Sequence, residues 1–501
     1  MADGLVPIFK KSLEQLPRAE EEYVRTGLPV TAIEESPDLR SQRLKDGLIV
    51  TFLDRGLGNS AYIVDPGDGR YVVVDPPRDP SPFLEYGVRT GSRAAYSIET
   101  HLHADFISGS RELSAEGALV LAPRAAGIEF PHQGFDDGDE VDLGGLILRA
   151  IATPGHTPEH LSYLILDGAQ PIALFSGGAL LSGSVARTDL ITPWETETLA
   201  RSLWRSLRER ILELPDDLPV FPTHGTGDTF CSASASSSTT PTTIGREKTS
   251  NPLLAASNED AFVELLTAGY GTYPRYFNRL RDVNRSGPAL YGSMPPPLGH
   301  LSIERVDELI AQGADMIDTR PIADYAAGHI PGSISIELRP AFATWLGWIV
   351  EDDRPLVFVL SDDADRSELV RAALKVGYEN LAGELNGGVK AWGASGRRVG
   401  QTPLVGAGSL PSTPGSIVDV RQTAEFLADG VPESINIELG ELEERTSELS
   451  GDHLLLMCGH GQRAMTAASL LERSGNTDLS VFGGTPGQLS DAIAASLETD
   501  S

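Results

Sequence analysis

Short apolar runs separated by turns dominate the chain from residue 47 onward. Six of these runs have the length and β-branched content of buried strands: LIVTFL, SAYIVD, YVVVDPP, LILRAIATP, PIALFSGG and LPVFPTHG. A segment with helical periodicity, ETLARSLWRSLRERILEL, lies among them. Strands interleaved with helices predict a layered α/β fold. Residues 1–45 are charged and only weakly periodic, which predicts an N-terminal extension with one helix.

Two low-complexity tracts indicate where the first α/β domain ends. Residues 232–242, SASASSSTTPT, predict a loop, and the segment NEDAFVELLTAGYGTYPRYFNRLRDVN after it predicts a helical connector. The proline-rich run MPPPLGH at 294–300 is typical of a linker. We therefore expect an α/β domain over residues 46–255 and a connector with its linker over residues 256–298.

An internal repeat occupies the rest of the chain. MIDTRPIADYAAGHIPGSISI (316–336) matches IVDVRQTAEFLADGVPESINI (417–437): each has an apolar strand, Asp-x-Arg and a short helix. Each copy continues with a second apolar strand, a loop, a helix and a Gly-Gly turn. The repeat predicts two further α/β domains, over residues 299–400 and 408–501.

Length and charge limit the possible partners. At roughly 150 residues per domain, 501 residues suggest about three domains. A net charge of −31 repels nucleic acids and anionic membrane surfaces, so we expect neither as a partner. Two cysteines cannot form a disulfide framework, and no apolar run approaches the roughly 18 residues of a membrane span. These features favour the cytoplasm and leave a homo-oligomer open.

The second repeat carries a cysteine at the turn from a strand into a helix, in the loop Cys458-Gly459-His460-Gly461-Gln462-Arg463. Backbone N–H groups and the helix N-terminus favour a thiolate there, and the two glycines let the loop curl. Arg463 offers a fixed cation to an anionic substrate. The alternative is a small buried cysteine without chemistry, which this loop composition disfavours.

This loop, with Asp419-x-Arg421 upstream, resembles that of the rhodanese family of sulfurtransferases. The resemblance covers about residues 300–400 and 411–495. It implies that Cys458 accepts sulfane sulfur as a persulfide and passes it to a thiol or cyanide, with Arg463 as a catalytic partner. The first repeat has Ser361-Asp-Asp-Ala-Asp-Arg366 at the same place. A serine hydroxyl cannot carry sulfane sulfur, so we expect this copy to be catalytically silent.

Five of the ten histidines fall in three short motifs, each after an apolar strand: THLHADF (100–106), TPGHTPEH (153–160) and PTHG (222–225). Strand ends that feed loops are where α/β folds bring reactive groups together. A single His-x-His pair is weak evidence for a metal site. Three such motifs in succession predict that the site derives from a metal-binding one. Asp75, after YVVV, is a candidate to orient a ligand imidazole.

The order of these motifs resembles the metallo-β-lactamase fold, and the closest resemblance is to persulfide dioxygenases fused to rhodanese domains. The phrases THLHADFISG, TPGHTPEHLSY, GGALLSGSVARTDL and TIGREKTSNPLL carry it over about residues 46–290. The resemblance implies an α/β chain with an αββα sandwich followed by two rhodanese-like domains. It also implies one Fe(II) held by two histidines and a carboxylate, with His101 and His156 as the histidines.

The third ligand departs from the family. Gly178 stands where the family has aspartate, and Phe106 stands where the fold usually has the last histidine of His-x-His-x-Asp-His. A two-metal hydrolase is therefore disfavoured. We expect a site of His101, His103 and His156 for one divalent metal, with Fe(II) favoured by resemblance and Zn(II) as the alternative. Asp105 or a water is a candidate to complete the metal shell, and three imidazoles without an anionic ligand are expected to bind the metal more weakly. Arg187 is a candidate to bind the carboxylate of a thiol substrate, with an ordinary surface arginine as the alternative.

Three functions remain open from the sequence. The first is oxidation of a low-molecular-weight persulfide to sulfite, with sulfur exchange at Cys458 among sulfite, thiosulfate and the carrier thiol. The second is sulfur transfer alone, with the histidine domain as a scaffold, which Gly178 and Phe106 favour. The third is a persulfide-sensing or docking protein without catalysis, against which the intact Cys458 loop argues.

Overall fold

Four β-sheets organise the chain. The structure is a computed structural model, and it describes residues 39–43, 47–225, 230–232, 242–292, 295–410, 415–449 and 453–499. The helix expected in the N-terminal extension falls among residues 1–38, outside the described residues, and so does most of the loop expected at 232–242.

The first two sheets pack face to face. The first has the order β1 to β7, antiparallel up to β4 and parallel from there: β1 Leu39–Arg43, β2 Leu48–Asp54, β3 Asn59–Asp65, β4 Arg70–Val74, β5 Arg93–Ile98, β6 Leu119–Pro123 and β7 Gln133–Phe135. The second has the order β13-β12-β11-β10-β9-β8: β8 Glu140–Asp142, β9 Leu146–Ala152, β10 Leu161–Asp167, β11 Gln170–Gly177, β12 Pro219–Pro222 and β13 Thr242–Thr243.

Helices cover the outer faces of this sandwich. They are α1 Ser81–Thr90, α2 Ser110–Ala115, α3 Thr196–Ser206 (continued by a π-helical turn, Leu207–Ile211), α4 Ile244–Ser250, α5 Glu259–Ala268 and α6 Phe277–Ser286. One apolar core fills the space between the sheets, where Tyr62, Tyr163 and Phe175 meet, and separate clusters lie beneath the helices. The order of layers is αββα, as the resemblance implied.

The two repeats have the same parallel sheet. In the first its order is β14-β18-β17-β15-β16: β14 His300–Leu301, β15 Asp315–Asp318, β16 Ile334–Ser335, β17 Leu356–Val359 and β18 Leu381–Leu385. In the second it is β19-β23-β22-β20-β21: β19 Leu404–Val405, β20 Ser416–Asp419, β21 Ile435–Asn436, β22 Leu454–Met457 and β23 Leu479–Phe482. Position for position the two orders are identical, which is the structural form of the sequence repeat.

The helices of the repeats surround these sheets. The first repeat has α7 Ile303–Ala311, α8 Ile322–Ala327, α9 Phe342–Ile349, α10 Arg366–Lys375 and α11 Gly388–Ala394. The second has α12 Thr423–Asp429, α13 Leu442–Arg445, α14 Gln462–Arg473 and α15 Pro486–Thr499. Among the helices that the structure describes, none has the length and apolar character needed to cross a bilayer.

The Asp-x-Arg motif of the repeats has a structural role. Arg421 turns back onto Asp419 at 2.8 Å, and Arg320 of the first repeat turns back onto Asp318 at 2.5 Å. Both aspartates are fully buried, so each needs the adjacent guanidinium to compensate its charge. The motif therefore stabilises the end of the first central strand in both copies, including the copy without a cysteine.

The first repeat docks on the sandwich through polar and apolar contacts. The backbone N–H of Ile107 donates to the carbonyl of Lys375 at 2.8 Å, and Thr344 donates to the carbonyl of Gly56 at 3.3 Å. One hydrophobic cluster continues from Phe106 through Tyr276 and on into both repeats. The domains are therefore joined by packed surfaces as well as by the connector.

Candidate functional site

Three buried imidazoles meet at one edge of the sandwich. His101 follows strand β5, His156 lies in the loop between β9 and β10, and His224 follows β12. One nitrogen from each ring lies within 4.8 Å of those from the other two. Strands β5 and β12 belong to different sheets, so the site forms only when the two sheets pack together.

A fixed acceptor binds the outer nitrogen of each ring. Nδ1 of His101 lies 2.8 Å from Oγ1 of Thr100, whose hydroxyl donates to Asp75 at 2.8 Å. Nδ1 of His156 donates to the carbonyl of Arg187 at 2.7 Å. Nδ1 of His224 donates to Oδ1 of Asn59 at 3.0 Å. These contacts place the proton on Nδ1 and direct the lone pair of each Nε2 toward the other rings.

The surroundings keep the rings of His101 and His156 neutral. Burial lowers the pKa of His101 well below its ordinary value, and the imidazoles of His103, His156, His160 and His224 lower it further. Burial also lowers the pKa of His156, and His224 adds to the effect. The Nε2 atoms of His101 and His224 are 3.2 Å apart. Two lone pairs at that distance repel each other unless a cation lies between them, so this donor set fits a divalent metal ion.

His103 is placed differently from the expectation that it joins His101 and His156. Its Nε2 lies 3.1 Å from Glu99 and 3.2 Å from Asp75. Burial by itself lowers the pKa of His103, but the two carboxylates outweigh burial and raise the pKa to about 10. The ligand atoms of His103 also lie close to those of two other sets, Asp105 with His224 and Asp75 with Glu99. His224 takes the third place in the cluster instead.

Phe106 and Asp105 flank this pair of histidines. The ring of Phe106 stacks on that of His103 with centroids 4.2 Å apart. Oδ2 of Asp105 lies 3.3 Å from Nδ1 of His224. Burial opposes ionisation of Asp105, but His224 and His103 hold its pKa well below its usual range. Asp105 therefore supplies the negative charge nearest to His224 without belonging to the three-histidine cluster.

Gly178 leaves no room for the carboxylate that the resemblance implied. A Cβ built on Gly178 would stand 2.5 Å from Cδ2 of His156, closer than real Cβ atoms approach a neighbour. The backbone N–H of Gly178 donates to Nε2 of His160 at 2.9 Å, and the ring of His160 stacks on His101 with centroids 5.1 Å apart. The imidazoles of His156 and His160 thus pack around the glycine.

Arg187 is buried rather than open to a ligand. Its guanidinium forms a two-pronged pair with Asp189 at 2.6 and 2.7 Å and donates to the carbonyl of Gly271 at 2.8 Å. The rings of Tyr270 and Tyr273 lie about it at 5.1 and 4.9 Å. This guanidinium is therefore bonded within the protein, and its binding of a substrate carboxylate stays a prediction. The backbone carbonyl of Arg187 accepts from Nδ1 of His156 and so orients that imidazole.

Cys458 directly follows strand β22, and three residues separate it from helix α14. Its thiol is free and 2 % exposed, and the backbone N–H of Gly461 donates to Sγ at 3.1 Å. Gly461 has φ of +96°, a conformation that glycine adopts without strain. The loop therefore curls around the sulfur as the sequence predicted, with His460 exposed above it.

Arg463 lies in the same loop and is held by a carboxylate. Its two terminal nitrogens contact Glu425 at 2.6 and 2.8 Å, and its guanidinium lies 5.9 Å above the ring of Trp345 in the first repeat. Burial would raise the pKa of Glu425, but Arg463 lowers it. The cation of the sulfur-transfer loop is thus positioned by a residue from each repeat.

The corresponding loop of the first repeat has a different geometry. Asp365 caps helix α10 by accepting from the N–H groups of Ser367 and Glu368 at 2.8 and 3.1 Å. Arg366 donates to the carbonyl of Ala364 at 2.8 Å and to Glu384 at 3.1 Å. The side chains of this loop therefore cap helix α10 and pair with Glu384, whereas the loop of the second repeat carries a cysteine sulfur.

Comparison with known proteins agrees with this division. The metallo-beta-lactamase superfamily profile matches residues 54–224, and the profile of the rhodanese-like domain matches residues 302–395 and 407–485. Human mitochondrial persulfide dioxygenase ETHE1 (Homo sapiens) is 31% identical over 208 residues, which are 41% of this chain and 70% of the human protein. The chain belongs to the metallo-β-lactamase superfamily.

Other relatives show how broad this superfamily is. A hydroxyacylglutathione hydrolase from Methylobacterium is 30% identical over 260 residues, or 47% of this chain and 97% of the hydrolase. A crystal structure of a metallo-beta-lactamase from Staphylococcus aureus aligns with a TM-score of 0.61 and 25% identity, over 68% of this chain and 99% of the other. Both families, persulfide dioxygenase and rhodanese, are enzymatic and support a role in sulfur metabolism.

The sequence did not predict that several residues contact the histidine centre. Asn59, Thr100 and His160 contact its imidazoles. Thr100 and His160 lie inside the histidine motifs but had no assigned role, and Asn59 lies outside every motif. His224 lies in the motif PTHG (222–225) but was not one of the three expected ligands. Its place directly after a buried strand, like that of His101, was the available signal.

Proposed function

We propose that this chain is a bifunctional sulfur enzyme. The histidine centre oxidises the persulfide of a low-molecular-weight thiol to sulfite, and Cys458 exchanges sulfane sulfur between thiosulfate and the carrier thiol. The observation that carries the first half is the convergence of three buried, oriented imidazoles in a homologue of persulfide dioxygenases. The second half rests on the free thiol of Cys458, whose sulfur accepts from the backbone N–H of Gly461.

The metal would be held by His101, His156 and His224. Fe(II) is favoured by the relationship to persulfide dioxygenases, and Zn(II) suits three imidazoles equally well as ligands. When bound, Fe(II) supplies O₂ activation at its open positions. The overall reaction balances as RSSH + O₂ + H₂O → RSH + SO₃²⁻ + 2 H⁺, so the terminal sulfur is oxidised and the thiol is regenerated.

The protein groups around the centre orient and shield it. Each Nδ1 keeps its proton because it donates to a fixed acceptor: Thr100, the carbonyl of Arg187 or Asn59. Each Nε2 is therefore unprotonated and available to a metal. All three imidazoles are at most 2 % exposed, which limits the entry of bulk water. A substrate therefore has to reach the centre through the surrounding loops.

The sulfur-transfer half uses one covalent intermediate. The Cys458 thiolate attacks the outer sulfur of thiosulfate, the S–S bond breaks, and sulfite leaves: Cys–S⁻ + S–SO₃²⁻ → Cys–S–S⁻ + SO₃²⁻. A thiol then takes the outer sulfur and the cysteine thiolate is restored. We assign anion binding to Arg463 and to the loop of Gly459, His460, Gly461 and Gln462. Two free cysteines are compatible with a reducing cytoplasm, where such thiols are abundant.

Sulfur transfer alone is the second candidate. Gly178 favours it, because this position contributes no carboxylate to the centre and imidazoles alone hold a divalent ion less firmly. The two candidates share Cys458 and differ only in whether the histidine centre consumes oxygen.

Oxygen uptake separates the two candidates. The full chain is loaded with Fe(II) without air and mixed with glutathione persulfide in an oxygen electrode. We expect uptake well above the metal-free chain, loss of at least 90% of it in His224→Ala, and unchanged uptake in Cys458→Ser. Thiosulfate:thiol transfer should show the reverse pattern. Uptake equal to the metal-free control would contradict the dioxygenase half and leave the transferase.

A further inference from the structure

The loop that carries His101 is buried along its whole length. Residues 101–109, between strand β5 and helix α2, are all buried and belong to no helix or strand. A buried irregular loop has no water for its peptide groups, so these groups need partners within the protein. The partners fix the course of the loop, and with it the direction of the His101 ring.

Asn284, on the connector helix α6, bonds three peptide groups of this loop. Its side-chain nitrogen donates to the carbonyls of His103 and Phe106 at 2.8 Å each, and its side-chain oxygen accepts from the N–H of Ser108 at 2.9 Å. Asn284 is buried, and these contacts use both the donor and the acceptor end of its amide. One side chain from outside the sandwich therefore holds the second half of the loop.

Arg281, one turn earlier on helix α6, holds the first half of the loop together with Glu159. The carbonyl of Leu102 accepts from Arg281 at 3.0 Å, and the N–H of Leu102 donates to Glu159 at 3.1 Å. Because a peptide group is planar, these two bonds fix both peptide planes that flank Leu102. Leu102 lies between His101 and His103, so the backbone directions of both histidines depend on this contact.

Glu159 links the same contact to the second histidine motif. It lies three residues after His156 and directly before His160. Arg281 and Glu159 pair with each other at 3.2 Å, with 12 % and 4 % of their side chains exposed, so solvent screens this pair little. The pair therefore ties the loop of His101 to the loop that carries His156.

Helix α6 brings both polar side chains to the loop on one face. Phe277, Leu280, Arg281 and Asn284 recur every three or four residues, which places them on the same side of the helix. Phe277 and Leu280 are buried in the hydrophobic cluster that includes Phe106. The apolar residues hold the helix against the loop, and the polar ones bond its backbone. The metallo-beta-lactamase profile ends before this helix.

We propose that Arg281 and Asn284 are positioning residues of the metal centre, because they hold the backbone from which His101 reaches the other imidazoles. The inference rests on the proposed function, in which His101, His156 and His224 bind a divalent metal. Removing a partner that orients a metal ligand typically weakens metal affinity roughly 10–100-fold. The connector is then part of the centre as well as the link between two domains.

Metal titration of the full chain tests this positioning. Zn(II) affinity is measured by competition with a chelating dye, and the visible absorption of bound Co(II) reports the geometry of its ligands. In Asn284→Asp an oxygen replaces the nitrogen that faces two carbonyls, and Arg281→Ala loses both of its contacts. We expect each variant to raise the dissociation constant for Zn(II) at least tenfold and to change the Co(II) spectrum.

Arg285→Ala is the matched control. Arg285 lies on the same helix, and its partly exposed side chain pairs with Asp282. Its Zn(II) affinity and Co(II) spectrum should equal those of the wild type. Arg281→Lys keeps the charge but has a single donor nitrogen, so we expect a smaller rise than for Arg281→Ala. If Asn284→Asp does not fold, the two Arg281 variants decide.

A merely structural role predicts a different result. It would lower the melting temperature and leave the folded variants with the Zn(II) affinity and Co(II) spectrum of the wild type, which overturns the proposal. A wild-type chain that binds neither metal overturns it together with the metal half of the proposed function. The titrations need neither oxygen nor persulfide, so wild-type metal binding without oxygen uptake removes the dioxygenase alone, and the variants still decide the positioning.

Discussion

His101 and His103 are two residues apart in the chain, yet their rings have different partners. The ring of His101 lies among the other imidazoles, whereas His103 lies between Asp75 and Glu99. The His-x-His spacing places both rings near the centre but does not say which one faces it. That depends on the buried carboxylate of Glu99, which no histidine motif contains. The sequence therefore predicted the region and two of the three clustered imidazoles.

The two histidines should respond differently to substitution. His103→Gln leaves Asp75 and Glu99 buried without their cation, and breaking such a pair typically costs about 3–5 kcal/mol of unfolding free energy. We expect a large drop in the urea midpoint, with metal content per folded chain retained. His224→Ala should instead lose the metal and keep most of the metal-free stability. A metal-free but fully stable His103→Gln would contradict this assignment.

Restoring the family carboxylate should not restore the family site. In Gly178→Asp the new Cβ meets the ring of His156 at 2.5 Å, and overpacking of this kind costs about 1–3 kcal/mol. We expect a lower melting temperature and no gain in Fe(II) affinity, measured by competition with a chelating dye. Tighter Fe(II) binding with unchanged stability would show that the centre still accommodates a carboxylate ligand.

Helix α14 was predictable from the sequence, but its contacts with other elements were not. The glycines before it and the alanine-rich run within it predicted a turn into a helix, and the structure has that helix from Gln462 to Arg473. The ion pair between Arg463 and Glu425 was not predictable, because Glu425 lies on helix α12, outside the Cys458 loop. Contacts between elements depend on packing, which local sequence patterns do not encode.

Glu425→Gln tests that contact. Without the carboxylate, Arg463 is free to bind the sulfonate of thiosulfate, so we expect KM for thiosulfate to fall several-fold with the Cys458 persulfide still formed. Glu425→Asp, which keeps the charge, is the control. A rise in KM would show that Glu425 holds Arg463 in its working position.

The same pair has a defined pH dependence. Because the folded state lowers the pKa of Glu425, the pair stabilises the protein above the ordinary carboxyl range and loses that contribution as pH falls through the lowered pKa. The pair is partly exposed, so the effect is about 1 kcal/mol or less. The stability difference between wild type and Glu425→Gln should be constant at neutral pH and shrink in acid.

At the scale of the whole molecule, the sequence predicted the domains as separate units and the structure joins them. Trp348 shows the connection: its ring packs on Phe230 of the sandwich, on Trp345 of its own helix and against Gly440 of the second repeat. The apolar run AFATWLGWIV predicted burial but not its partners, because they come from three domains. The packing of the domains against one another could not be predicted from the periodicity of hydrophobic positions.

Trp348→Ala should therefore affect all three domains. Removing a large buried aromatic side chain costs about 3–5 kcal/mol of unfolding free energy. The void left by the Trp348 ring lies where the three domains meet. We expect calorimetry to show one cooperative unfolding transition in the wild type and two or more in the variant. Trp392→Ala, on helix α11 of the same repeat, is the control and should lower stability without splitting the transition. A single transition in both variants would mean that the junction does not couple the domains.

The central claim is that His101, His156 and His224 together hold a divalent metal. Crystals of the chain loaded with Fe(II) without air, measured at the iron absorption edge, test it most directly. We predict one anomalous peak bonded to Nε2 of these three residues, with His103 remaining on its two carboxylates. A peak that includes His103, or no peak at all after loading, would contradict the account.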